Sequence, residues 1–189
     1  MKKSLGKKAF IHPMPVQMIA TYNEDGSVDV MNAAWGGIID YDLLILSLDE
    51  SHKTCDNLKK CSDFTLSLAN EQTLAESDFF GIVSYKKDKN KFNKTGFTFT
   101  HAEKINAPIV NEYPLTLLCH AERIDTNDGF FVYARIIDTI VDEQYVNEKG
   151  AVDVESMKLV SFSQIDNHYY AASKKVGRAW NIGTKYIKK

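Results

Sequence analysis

The run Met31-Asn32-Ala33-Ala34-Trp35-Gly36-Gly37 sets small side chains and a glycine pair beside one amide and one large aromatic. Residues this small let a backbone approach a flat ring closely and offer it N–H and C=O groups, with Asn32 adding a side-chain amide and Trp35 a wall. The same residues would equally serve plain tight packing, and the run alone does not separate the two uses. Further along, Ser51-His52-Lys53-Thr54 stands where an apolar run gives way to a helical pattern. The free N–H groups of a first helical turn, two hydroxyls and an ammonium would converge there on a dianionic phosphate. A plain Ser51 N-cap beside an exposed Lys53 accounts for the same letters. A third set, Lys86, Lys87, Lys89 and Lys91 around Phe92, would reach a phosphate or a sugar-alcohol chain from a loop, or would simply be solvated.

Other chemistries find little footing. The five histidines are scattered, there is no HExxH or CxxC pattern, and Cys119 and His120 are adjacent on a strand and face opposite ways, so no metal site is expected. The chain carries no GxSxG, GxGxxG or Walker pattern and no suggestively spaced carboxylate pair. No side chain is therefore nominated as catalytic, and any reaction is expected to reside in a bound cofactor.

These segments need a scaffold. Val16 to Tyr22 and Ser27 to Asn32 read as strands joined by an Asp25-Gly26 turn, and Leu115 to Ile124 and Phe130 to Val141 as a second hairpin around Asn127-Asp128-Gly129. Leu43 to Leu48 is apolar on both alternations, which predicts a strand buried on both faces. Ser51 to about Lys60 predicts a helix capped by Ser51, Asp63 to Leu68 a strand, and Asn70 to about Gly81 a second helix. Lys86 to Thr95 reads as loop, Asp142 to Ser156 as a polar loop, and a short helix is expected after Ser173. Many short strands with two early helices imply a mainly β, antiparallel architecture, most economically a small barrel with helices over its ends.

At 189 residues, 44% hydrophobic and 25% charged, the chain suits a single globular domain spanning 1–189, with residues 1–12 as an N-terminal arm and 168–189 as a C-terminal tail. A formal net charge of -2 gives no field that would gather nucleic acid, and no run approaches a membrane span. Lys2, Lys3, Lys7 and Lys8 are not followed by an apolar stretch, so a signal peptide is not expected. Three cysteines without metal spacing suit a reducing compartment, and a cytoplasmic location is the expectation.

The order Pro13-x-Pro15-Val16, Asn32-Ala33-Ala34-Trp35-Gly36-Gly37, Leu46-Ser47-Leu48 and Ser51-His52-Lys53-Thr54 resembles the flavin reductase-like family in its flavoredoxin branch. Lys91-Phe92, Thr98-Phe99, Ala107-Pro108-Ile109 and His168-Tyr169-Tyr170 with Trp180 and Gly183 extend the likeness over nearly the whole chain. Where that family often has Asp-Pro-Pro this chain has Asp40-Tyr41-Asp42, and the Asp usual before the Lys is Asn90. The resemblance implies a six-stranded antiparallel split β-barrel of Greek-key type with flanking helices, homodimeric, with FMN at the subunit interface. It implies that Asn32, Ala33, Ala34 and Trp35 flank the isoalloxazine, Ser47 and Leu48 the ribityl chain, and Ser51, Lys53 and Thr54 the phosphate, with His52 also among the cofactor-binding residues and Lys91 adding charge. It further implies reduction of flavin or another small acceptor by NADH or NADPH through flavin N5. The alternative is an FMN-binding electron carrier serving a redox partner protein.

Overall fold

Gly26, at φ +79°, closes the turn that joins β2 (Gln17–Tyr22) to β3 (Val28–Ala33), and the two strands pair in register from Gln17 with Ala33 to Tyr22 with Val28. In this computed structural model, which describes residues 1–187, two short segments flank that hairpin: β1 (Met14–Pro15) before it and β4 (Gly36–Asp40) after it. A turn at Tyr41-Asp42, the place of the family's prolines, leads from β4 into β5 (Leu43–Leu48). Next come α1 (Lys53–Leu58), β6 (Asp63–Leu68), α2 (Leu74–Ile82) and α3 (Lys91–Lys94). The second half holds β7 (Phe99–His101), β8 (Pro108–Val110), β9 (Leu115–Asp125), β10 (Phe130–Val141), β11 (Val160–Ser163) and β12 (His168–Ala171).

Among the described residues the main sheet is antiparallel with strand order β3-β2-β6-β9-β10-β5-β4. Its two edge strands, β3 and β4, are separated in the chain by Ala34 and Trp35 alone, so the sheet must curl until its edges meet. Counted as one bent strand, β3 and β4 make this a six-stranded barrel, split where the strand leaves β2 and joins β5. Three consecutive neighbours (β2, β3/β4, β5) followed by a crossover that sets β6 beside β2 give the Greek key. The fold class is the expected one, a mainly β split barrel with few helices.

The barrel interior is filled by Ile19, Met31, Leu44, Leu46, Phe64 and Phe130 among others, and α1 closes one end with Cys55 and Leu58. Complete burial of such side chains is worth about 1.5–3 kcal/mol each. A second core lies outside β2 and β3, where Met18, Val28 and Val30 meet Phe80 of α2 and Phe92 of α3. The three-stranded sheet β1-β11-β12 supplies Val160, Phe162 and Tyr169 to that layer.

Several expectations are corrected. β5 is buried on one face only, through Leu44, Leu46 and Leu48, while Leu43 and Ile45 are half-buried and Ser47 is exposed. The first helix is shorter than predicted, and His52 rather than Ser51 holds the N-cap position, with no side-chain cap. Ser51 N instead donates to Asp49 Oδ1 at 2.9 Å, a local turn that competes with capping. The second helix starts later than expected because Asn70 Oδ1 accepts from the N–H groups of Gln72 and Thr73, forming a turn ahead of α2. The lysine-rich segment is not wholly a solvated loop: α3 forms within it and buries Lys91 and Phe92. No α-helix follows Ser173 among the described residues. His168–Ala171 is a strand, and a 3-10 turn occupies Thr184–Tyr186. The last two residues of the 168–189 tail lie outside the described residues.

Candidate functional site

The bend between β3 and β4 is shaped by its small residues. A Cβ on Gly36 would stand 2.5 Å from Leu46 Cδ2 and 2.9 Å from Ile45 O, so close packing does account for that glycine. Gly37 meets nothing. Trp35 O accepts from Ser47 N at 2.8 Å, pinning the bend to β5. Above it opens a cleft of about 470 Å³, lined by Ala34, Trp35, Ser47 and Phe131 of the barrel and by Ala9 and Ile11 of the arm. It is apolar, and it lies within the roughly 300–1,000 Å³ usual for small-molecule sites. Trp35 stands half-exposed at this cleft.

A second, smaller cavity of about 120 Å³ starts two residues back along the same strand, at Asn32. His52, Thr54, Lys91, Asp29 and the Gly81–Tyr85 segment enclose it. The two cavities divide the sequence-predicted set: Ala34, Trp35 and Ser47 share the first, Asn32, His52, Thr54 and Lys91 the second. Ala33 packs inward against the barrel core, and Leu48 belongs to that core. Ser51 is exposed, and its carbonyl accepts from Lys86 Nζ at 2.7 Å. Lys53 lines a third cleft of about 360 Å³ with Tyr85, Lys86 and Lys89, and Tyr85 also lines the small cavity.

The small cavity is the most strongly organised part. Thr54 Oγ1 donates to Asp29 Oδ2 at 2.6 Å, both residues being buried. Lys91 Nζ lies 3.8 Å from Asp29 Oδ1, donates to Phe80 O at 3.2 Å and Val83 O at 2.8 Å, and sits 5.7 Å from the Phe80 ring centre. Lys91 thus fastens the C-terminal end of α2 to β3. Burial pushes the Asp29 carboxyl up, against the lowering effect of the Thr54 hydrogen bond and the Lys91 charge. Burial pushes the Lys91 ammonium down, against the raising effect of Asp29. Asn32 Nδ2 donates to Ser77 O at 3.0 Å, which orients the amide against α2. The Nδ1 of His52 is buried with no partner, as is Gln17 Oε1, which lies 2.7 Å from where a Gly36 Cβ would stand. Buried polar atoms without partners are uncommon, and these two flank the split.

Sequence reasoning missed Asp29, Tyr85 and the contribution of the N-terminal arm. Asp29 left a signal: it is a carboxylate between Val28 and Val30 on the strand that carries Met31 into the core. Among the described residues no group of three or more His, Cys, Asp or Glu is placed to hold a metal, and no helix is long and apolar enough to cross a membrane.

The strand order and the bend between β3 and β4 define a split-barrel protein with an apolar cleft at the bend and a small polar cavity beside it. Residues 10–158 match the model of the flavin reductase-like domain, and the chain belongs to that family. The flavoredoxin of Desulfovibrio vulgaris (Miyazaki F) is similar along its full length, at 28% identity over 97% of this chain and 100% of that one, with a TM-score of 0.90. Flavoredoxin from Methanosarcina acetivorans aligns over 98% and 99% of the two chains at 23% identity and a TM-score of 0.88. An FMN-binding domain of a flavin reductases-like enzyme from Shewanella baltica OS155 aligns over 87% and 89% at 20% identity and a TM-score of 0.75. None of the curated proteins compared with the chain matches it.

Proposed function

We propose that the chain binds FMN at the barrel split and works as an electron carrier of the flavoredoxin type, exchanging electrons with a protein partner. The observation that carries this reading is the apolar cleft at Ala34-Trp35, with a separate cleft where Lys53, Lys86 and Lys89 outnumber Glu24 and Asp25. The end-to-end likeness to two flavoredoxins supports it.

FMN fits the residues present. The large cleft suits an apolar ring, and the buried, unpartnered Nδ1 of His52 is a group that a polar ligand would satisfy. Lys53 and Lys89 pair with no carboxylate among the described residues, so both are available to a phosphate. Asp29 beside the small cavity disfavours a dianion there, and we assign the phosphate to the Ser51–Lys53 side, with Lys86 near. Ser47 would lie along the ribityl chain and Asn32 at the ring edge. When bound, FMN supplies the redox chemistry, taking up a hydride or single electrons at its ring. The protein's own residues wall the ring, exclude water from one face and hold the phosphate.

The carrier is read as a homodimer with FMN at the subunit interface. β4 is an edge strand whose Ile38 and Ile39 are exposed, as is Tyr41 in the turn that follows, and the outward face of β5 is only half-covered, an apolar surface that a second copy would bury. A reducing, cytoplasmic setting is in keeping with three free thiols.

A second reading, reduction of flavin or another small acceptor by NADH or NADPH, is favoured by the half-exposed Trp35, which leaves the large cleft open to another planar ring. The visible spectrum of the purified protein, with and without added FMN, tests the cofactor. A colourless protein with no affinity for FMN would end both readings. Anaerobic stopped-flow mixing with NADH and NADPH then separates them, since rapid bleaching of the flavin bands excludes a pure carrier. Sedimentation velocity tests the dimer.

A further inference from the structure

We infer that Tyr169, anchored by Asp78, is a positioning residue that fixes the Asn32 side-chain amide at the ring end of the site. This rests on the FMN reading for its consequence, though not for its geometry. Three elements distant in sequence converge on Asn32. From α2, Ser77 O accepts from Asn32 Nδ2 at 3.0 Å. Gly81 of the same helix lies so close that an added Cβ would stand 3.2 Å from Asn32 Cβ, so the helix leans on this residue. From β12, the Tyr169 hydroxyl donates to Asp78 Oδ1 at 2.7 Å, and Asp78 is the residue of α2 next to Ser77, whose carbonyl holds the Asn32 amide. The Tyr169 ring is itself held, tilted against Phe162 at 5.9 Å between centres and packed on the second core.

A terminal amide rotates freely unless its partners choose an orientation, and the donor and acceptor faces it shows a ligand depend on that choice. Here Ser77 O takes one N–H, and the Tyr169–Asp78 hydrogen bond holds the turn of α2 that presents that carbonyl. Burial and the Asp78 carboxylate push the Tyr169 hydroxyl up to about 12, so it stays an O–H donor across the physiological range. Asn32 itself lines the small cavity, so the orientation chosen by Ser77 is displayed there.

The test compares Tyr169→Phe, which keeps the ring and its packing, with Tyr170→Phe, whose hydroxyl is occupied by Asp166 at the surface. In the FMN-free full-length protein, the Asn32 side-chain amide resonances, assigned by loss in Asn32→Ala, are expected to move in Tyr169→Phe and to stay in Tyr170→Phe. FMN titration is expected to weaken by about tenfold in Tyr169→Phe, the factor carried by roughly one hydrogen bond, with shifted flavin absorption bands. Asp78→Asn, which keeps an acceptor, is expected to retain near wild-type binding and bands. Unmoved Asn32 resonances in Tyr169→Phe would overturn the clamp even in a protein that binds no FMN. Moved resonances with unaltered FMN affinity and spectrum would overturn its role at the site.

Discussion

The Thr54 hydroxyl donates a 2.6 Å hydrogen bond to the buried Asp29 carboxylate, joining the first turn of α1 to β3. That proton is engaged within the protein, so Thr54 and its neighbour Lys53 should differ in what they control. Thr54→Ala leaves a buried carboxylate short of a donor and is expected to cost about 1–3 kcal/mol in urea unfolding of the FMN-free protein, with Thr54→Ser close to wild type. Lys53→Ala is expected to change unfolding by less than about 0.5 kcal/mol and to weaken FMN by about 1.5–3 kcal/mol, the value of a charge-assisted contact. If Thr54→Ala weakened FMN while unfolding stayed unchanged, the hydroxyl would belong to the ligand instead.

The Asp29–Lys91 pair invites a double-mutant cycle. Lys91→Met strands Asp29 without its counter-charge and is expected to cost about 3–5 kcal/mol, whereas Asp29→Asn with Lys91→Met should recover most of the loss. The pH dependence follows from the directions of the two shifts. Asp29 has its folded pKa raised by burial, so its favourable contribution is complete below its unfolded value and is lost as pH rises through the folded one. Lys91 has its folded pKa lowered by burial, so its contribution is complete above its unfolded value and is lost as pH falls through the folded one. The wild type should therefore compare least well with the double variant between the folded pKa of Asp29 and that of Lys91, and gain on it as pH falls towards the unfolded carboxyl value of about 4 or rises towards the unfolded ammonium value of about 10. A difference that stayed flat from about pH 4 to about pH 10 would refute the assignment.

Gly36 and Gly37 are neighbours in sequence with opposite tolerances. Gly36→Ala forces a methyl onto Leu46 and the backbone of Ile45, where β4 closes the barrel, and is expected to cost about 1–3 kcal/mol. Gly37→Ala meets open space and should be nearly neutral in stability. Thermal melts of the two variants decide this, and equal melting temperatures would remove Gly36 as the steric reason for the bend.

The hairpins were legible because turn chemistry is local: Asp25-Gly26 and Asn127-Asp128-Gly129 supply positive φ where the chain reverses, Gly26 at +79° and Gly129 at +142°. The run Asn32 to Gly37 was legible as a string of small residues, yet which of them face the cleft was not, because Ala33 and Ala34 differ only by alternation and the strand bends just after Ala33. Barrel closure could not be read from periodicity, since nothing in β3 or β4 alone says that one strand changes partners midway. β5 looked buried on both faces because Leu43 and Ile45 are as apolar as Leu44 and Leu46, and residue type alone does not tell a half-buried outer face from a buried one. Lys91 looked solvated because its counter-charge, Asp29, lies far away in sequence and only the fold brings them together. The early cap at Ser51 failed for a smaller reason, a competing turn on Asp49.

The three thiols should report on how α1 is held. Burial pushes Cys55 and Cys119 each up to about 12, so at pH 8 only about one in ten thousand of either is thiolate, while Cys61 is partly exposed just beyond α1. With Ellman's reagent under native conditions, one thiol is expected to react quickly and two slowly, the fast phase vanishing in Cys61→Ser. The slow phases then measure local opening, because a buried thiol reacts only when its element detaches. Cys55 lies on α1, next to the Thr54 that ties the helix to Asp29, whereas Cys119 lies in β9 within the sheet. Thr54→Ala should accelerate labelling of Cys55 and leave that of Cys119 close to its wild-type rate. Equal acceleration of both would mean that the Thr54 hydrogen bond stabilises the whole barrel rather than the attachment of one helix.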